Sequence, residues 1–195
     1  MDLEHQTSAP GMRGCGRRLV NAMKILLVDD DPVARVLHSM LLGKYGHEVL
    51  QAPDGESAWE LLESENIGFV LSDWVMPKVT GVDLCRKIRR ADFAHYVYVI
   101  LCTSKGEKAD LIEGMDAGAD DFLVKPISKE ELRVRVRAGE RILDLEHRLA
   151  DQNRELAATN SRLKNAYKLI EDDLKTAAWM QEQLLPSPAL KALGV

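Results

Sequence analysis

Five side chains in this sequence have the types and positions for chemistry on phosphorus. Asp29 and Asp30 follow the apolar run 24–28, Asp73 follows the run 68–72, Thr103 follows the run 96–102, and Lys125 follows the run 121–124. Each stands where a strand-type segment gives way to turn formers, which places all five at the carboxyl edge of one sheet if the segments pair in parallel. Open α/β sheets bind ligands at that edge. Three carboxylates drawn together repel one another, so the site should take a hard divalent ion, and Mg²⁺ with its oxygen ligands suits it. Thr103 offers a hydroxyl and Lys125 a cation, the two groups that a phosphoryl oxyanion needs. Together they describe phosphoryl transfer onto Asp73, in which the carboxylate attacks, Mg²⁺ and Lys125 neutralise equatorial oxygens, and Thr103 and backbone amides hold the product. Taken singly, each has a plainer use: Asp30 and Asp31 as helix caps, Thr103 as a strand residue, Lys125 as a solvated charge before a turn. Their coincidence at four strand ends is what favours the chemistry.

The elements that must position these residues alternate along the chain. The β-branched and aliphatic run 24–28 reads as a strand buried on both faces, and Asp31-Pro32 caps and opens a helix whose apolar residues Val36, Leu37, Met40, Leu41 and Leu42 form one stripe. A short strand follows over 48–52, then a helix capped by Asp54, the third strand, and a helix through Leu84 and Ile88. The fourth strand, a helix through Leu111, Ile112 and Met115, and the fifth strand complete the alternation. Ser128-Lys129-Glu130-Glu131 is a capping box that starts the last and longest helix. Five strands alternating with five helices predict an α/β fold with a flavodoxin-like parallel sheet of order 2-1-3-4-5. Its switch point lies between the first and third strands, where Asp29, Asp30 and Asp73 emerge.

Composition narrows the classes. A chain of 195 residues that is 46% hydrophobic can hold one packed domain plus an extended piece. A formal charge of −5 offers no basic patch, so a nucleic-acid partner is not expected. The three cysteines, Cys15, Cys85 and Cys102, lack metal-type spacing and read as structural thiols of a reducing compartment. No apolar run reaches the roughly 20 residues of a membrane span, so no membrane insertion and a cytoplasmic location are expected.

Val28-Asp29-Asp30-Asp31, Asp73 with Met76-Pro77 and Gly81, Thr103-Ser104, and Val124-Lys125-Pro126 resemble the full signature of the receiver domain of two-component response regulators. The resemblance covers about 23–141. It implies that Asp73 accepts a phosphoryl group from a histidine kinase or phosphotransfer protein. It also implies that Asp30, Asp73 and the carbonyl of Val75 ligate Mg²⁺ while Asp29 acts through a bound water. Thr103 and Phe122 would be the switch pair, and the Lys125-Pro126 bond is typically cis in this family. Val75 and Lys105 hold the positions that line the path of hydrolytic water, and an apolar Val75 cannot orient water, which predicts a long-lived phosphoryl group. Trp74 beside the site reads equally as a partner contact or a lid.

Beyond the sheet the sequence becomes one helical run without Gly or Pro from Glu140 to Leu185. Ile142, Leu149, Leu156, Leu163, Ile170, Ala177 and Leu184 recur every seven residues, a coiled-coil seam. A second stripe, Leu163, Tyr167, Ile170, Leu174, Ala177, Gln181 and Leu184, fits from Leu163 onward with the phase displaced. Two registers predict a helix pair able to switch between them. The alternative is one amphipathic helix folded back on its own domain. The expected organisation is an arm over 1–22, a receiver over 23–141, a parallel homodimeric coiled coil over 142–185, and the start of an output domain over 186–195. The pattern Ala177-x-x-x-Gln181-x-x-Leu184-Leu185-Pro186 resembles the entry helix of PPM-type serine/threonine phosphatases of the bacterial stress and sporulation class, and implies such an output beyond the chain given. The segment itself would be a phosphoacceptor rather than a turnover enzyme. Two competing readings are a haloacid-dehalogenase-like phosphohydrolase using the Asp29-x-Asp31-x-Val33 pattern, and a non-catalytic coiled-coil scaffold.

Overall fold

The structure, a computed structural model, describes residues 22–104 and 108–184. The expected arm, except Ala22, the Lys105 position and the 186–195 segment lie outside the described residues. Five strands, β1 (Lys24–Val28), β2 (Glu48–Ala52), β3 (Phe69–Asp73), β4 (Tyr98–Thr103) and β5 (Asp121–Val124), form one parallel sheet in the order β2-β1-β3-β4-β5. Helices α1 (Pro32–Lys44), α2 (Gly55–Ser64), α3 (Gly81–Arg90), α4 (Lys108–Asp116) and α5 (Lys129–Leu184) alternate with them. The fold is therefore the flavodoxin-like one that the alternation predicts. The uninterrupted apolar runs are explained by position: Ile25, Leu26, Val28, Phe69, Val70, Leu71, Ile100 and Leu101 are each within 1% of complete burial, as central parallel strands covered on both faces must be.

Local chemistry sets the helix starts. Asp31 accepts from the Val33 amide at 2.9 Å with Pro32 opening α1, Asp54 accepts from Ser57 at 2.8 Å, and Thr80 from Asp83 at 3.1 Å. The Ser128 hydroxyl likewise accepts from the Glu131 amide at 3.1 Å at the head of α5.

Two expectations need correction. The stripe of α1 is only partly covered: Leu42 is buried as expected and Leu41 half-buried, but Val36, Leu37 and Met40 are exposed, and His38, four residues before Leu42, is the other buried residue. The sheet accepts only that narrower face. The fourth strand begins at Tyr98 rather than Tyr96, because the Val97 carbonyl is taken by the Arg89 guanidinium at 2.7 Å and the Tyr96 hydroxyl turns to Asp120.

Contacts divide the chain into two units, 1–140 and 141–195. The first contains the sheet. In the second, every described residue of α5 from Asp144 to Gln181 is exposed, including Leu149, Leu156, Leu163, Ile170 and Leu174. No described helix is long and apolar enough to cross a membrane.

Candidate functional site

Strand register assembles the site. Val28 pairs with Ser72, so Asp29 and Asp73, each the next residue, leave neighbouring strands at one level. Asp73 pairs with Cys102 and Thr103 with Val124, which brings Thr103 and Lys125 to the same edge one step further along the sheet. Asp29, Asp30 and Asp73 each offer a carboxylate oxygen within 4.8 Å of the others. Lys125 Nζ stands 2.9 Å from Asp73 Oδ2 and 3.2 Å from Asp29 Oδ2. Thr103 is buried, and its carbonyl accepts from the Lys125 amide at 2.7 Å, fixing the last two strand ends together. The Lys125-Pro126 bond is cis.

Backbone bonds hold the carboxylates in place. Asp29 Oδ1 accepts from the Asp31 amide at 2.9 Å, and Asp73 Oδ1 from the Trp74 amide at 2.8 Å. That leaves the Oδ2 atoms facing Lys125. The loop after Asp73 closes through Gly81, whose amide donates to the Trp74 carbonyl at 3.0 Å. A Cβ at Gly81 would lie 2.1 Å from the Asp73 carbonyl oxygen, so only glycine lets α3 start this close to the strand end.

Charge explains the proton affinities. Burial pushes the Asp73 carboxyl above its ordinary value, and Asp29 adds to the push while Lys125 and the Trp74 amide oppose it. Burial works against the Lys125 ammonium, but its bonds to Asp73 and Asp29 outweigh this and hold it above the ordinary lysine value. Three carboxylates against one ammonium leave a net charge of −3 + 1 = −2, which a divalent hard cation would balance.

Asp31 is not part of the cluster, since its carboxylate caps α1. This removes the second carboxylate that the phosphohydrolase pattern requires. Val75, two residues beyond Asp73, is 62% exposed, and Phe122, three residues before Lys125, is half-buried on β5. Cys85 and Cys102 are buried with their thiols pushed up by desolvation, Cys85 to about 11, as structural thiols should be. Cys15 lies outside the described residues.

The sequence reading missed two residues. Arg35 on α1 donates to the Asp29 carbonyl at 2.6 Å, tying down the backbone of the acidic loop. Its signal was available, because a residue in the first turn and a half of a helix faces back toward the cap. His38 is buried on the sheet side of α1, where burial lowers its proton affinity and the charges of Asp29, Lys125 and Asp73 reach it. Nothing in a lone histidine among leucines announces that.

Known proteins are similar to this chain in sequence and fold. The probable transcriptional regulator ycf27 of Galdieria sulphuraria is 40% identical over 121 residues, 62% of this chain and 46% of that one. The structure of the chemotaxis protein CheY4 of Vibrio cholerae superposes with a TM-score of 0.57 at 28% identity, covering 60% of this chain and 98% of CheY4. The receiver domain of the sensor histidine kinase PA1611 of Pseudomonas aeruginosa, described with a magnesium ion coordinated in its active site cleft, matches with a TM-score of 0.57 at 28% identity over 61% of this chain and 98% of that domain. The chain spans about half the length of the curated relatives it matches. The response regulator receiver domain family matches residues 25–137, more than half of the sequence, and it is to this family that the chain belongs.

Proposed function

We propose that Asp73 accepts a phosphoryl group from a phosphohistidine of a histidine kinase or phosphotransfer protein, and that the exposed helix relays the change through a homodimer. The observation that carries this is the geometry at Asp73: one carboxylate oxygen held by the Trp74 amide, the other 2.9 Å from Lys125, with two further carboxylates beside it. A carboxylate oxygen attacks phosphorus, forming a P–O bond as the P–N bond to the donor imidazole breaks; the imidazole leaves with the electron pair and is protonated from water. Lys125 then exchanges its bond to Asp73 for the phosphoryl oxygens, and the Thr103 hydroxyl donates to another. Asp30, Asp73 and the Val75 carbonyl would hold Mg²⁺, with Asp29 acting through a water, and the ion supplies charge neutralisation to the transferring group. The ion named for the PA1611 receiver supports this assignment.

Exposed Val75 leaves no polar group there to orient an attacking water, which supports a long-lived phosphoryl group; Val75→Asn should shorten its lifetime. Thr103 and Phe122 act as the switch pair. From Ile142 to Ile170 the regularly spaced apolar residues are exposed in a single chain, and a second copy in parallel is the partner whose seam repeats them. The 177–186 pattern supports a PPM-type phosphatase output and a cytoplasmic signalling role. The matched relatives are named as transcriptional regulators, so DNA binding by a full-length protein is the competing output.

Intact mass spectrometry after incubation with acetyl phosphate and Mg²⁺ tests the acceptor. One phosphoryl adduct is expected on the native chain and none on Asp73→Asn. An adduct that survives in the variant overturns the assignment. For output, a full-length protein should release phosphate from phosphoserine peptides; operator binding without such release would favour the regulators' mode.

A further inference from the structure

Trp74 sits between the acceptor and a helix that has no role in the chemistry described above. Its amide hydrogen is shared between the Asp73 Oδ1 and the Cys102 carbonyl, each at 2.8 Å, so its backbone is fixed to the carboxylate that would be modified. Its indole is half-buried against the core and reaches across to α4. A Cβ built on Gly114 of α4 would lie 2.7 Å from Trp74 Cζ3, 3.0 Å from its Cη2 and 3.3 Å from Leu101 Cδ1. The far ring of the indole therefore rests on the bare backbone of the helix. The same ring walls a narrow apolar crevice whose other sides include Leu101, Gly114, Met115 and Phe122. Phe122 and Trp74 thus draw on one small volume.

We propose that Trp74 is the positioning residue that couples the state of Asp73 to α4, its indole acting as a strut on Gly114. This rests on the acceptor reading. When the carboxylate is esterified, the Thr103 hydroxyl turns toward the phosphoryl group and Phe122 moves into the space it leaves. That space adjoins the narrow crevice that the indole and Phe122 both line, and close-packed apolar groups cannot overlap, so the indole presses on α4 or withdraws from it. With no side chain at Gly114 to absorb the movement, it passes directly to the α4 backbone. Ile112 and Met115 of α4 are exposed, so the displaced helix presents an altered apolar surface to solvent. The strut converts a charge change at a strand end into a surface change one helix away.

The test combines two measurements on the whole chain, with acetyl phosphate and Mg²⁺ present or absent. Intact mass reports the adduct on Asp73, and hydrogen exchange reports the amides of α4. In the native chain phosphorylation should change α4 exchange by about tenfold. Trp74→Ala keeps the backbone amide, so it should still gain the adduct, but its α4 exchange should no longer respond. Gly114→Ala should speed α4 exchange even without phosphate, against the slowing that alanine's helix propensity alone would give. Trp74→Phe, with a shorter ring, should reverse that effect when combined with Gly114→Ala. An adduct on Trp74→Ala accompanied by the native α4 response overturns the strut and leaves the acceptor intact. Slower α4 exchange in Gly114→Ala also overturns it. Absence of any adduct on the native chain is a different failure, that of the acceptor reading itself.

Discussion

The sheet unit and the helix beyond it treat the same kinds of residue in opposite ways. Leu26, Leu71, Leu101 and Leu123 are completely buried, while Leu149, Leu156, Leu163 and Leu174 are each more than half exposed. Composition does not separate the two regions, since both are rich in leucine. Spacing does. In the strands apolar residues are contiguous, which buries them within the unit that makes them; along 142–184 they recur every seven residues, a pattern that suits cover by another helix. The sheet unit buries its own apolar residues, and the described helix beyond it leaves its own exposed.

The difference can be broken first at its strongest point. Phe69 is completely buried on β3, with its ring centroid 5.3 Å from that of Tyr98. Phe69→Ala should destabilise the sheet unit by roughly 3–5 kcal/mol, read from the urea midpoint. A loss below about 1 kcal/mol would mean the strands are not held as described.

Asp73 is a place where the sheet unit gives up stability, since its carboxyl is partly buried. Because burial raises the Asp73 proton affinity in the folded chain, its stabilising contribution is present when it is protonated, below the unfolded carboxylate value, and is lost as pH rises through the folded one. Asp73→Asn, permanently neutral, should therefore be more stable than the native chain at pH 7 by on the order of 1 kcal/mol, and the gap should close as the solution is acidified below the carboxylate range. Thermal melts of both proteins from pH 3 to pH 8 in chelator read this directly. Saturating Mg²⁺ should close the gap at pH 7 and reverse its sign, since binding to the folded native site stabilises it by mass action, by about 2.7 kcal/mol at a hundredfold excess over Kd.

The smallest effect on folding should come from the seam. Leu156→Glu should change the sheet unit's stability by less than about 0.5 kcal/mol, the scale of an exposed substitution, while sedimentation shows the mass falling from two chains to one. Loss of folding stability on that substitution would place the helix in the sheet unit's core. Unchanged mass would remove the dimer.

Asp29, Asp30, Asp73, Thr103 and Lys125 were legible because each marks the end of an apolar run, and alternation with helices makes all the runs parallel. Once the strands are parallel, their carboxyl ends share an edge, and the residues that follow must meet there. The caps at Asp31, Asp54 and Ser128 were equally legible, since a cap bond spans only two or three residues. All of these follow from short-range patterns.

What the tertiary structure alone decided is which surface of each element is covered. The apolar stripe of α1 predicts burial of Val36, Leu37, Met40 and Leu42 alike, yet only Leu42 of these is buried, with His38 beside it, and the other three stand in solvent. Arg35 reaches back to the Asp29 carbonyl, Arg89 takes the Val97 carbonyl from the fourth strand, and the Trp74 indole lies on Gly114, forty residues away. Each of these depends on the distance and angle between two elements. Periodicity says that an element has an apolar face, but the shape of its neighbour selects the residues that fill the contact, because close packing admits only those side chains that fit the gap.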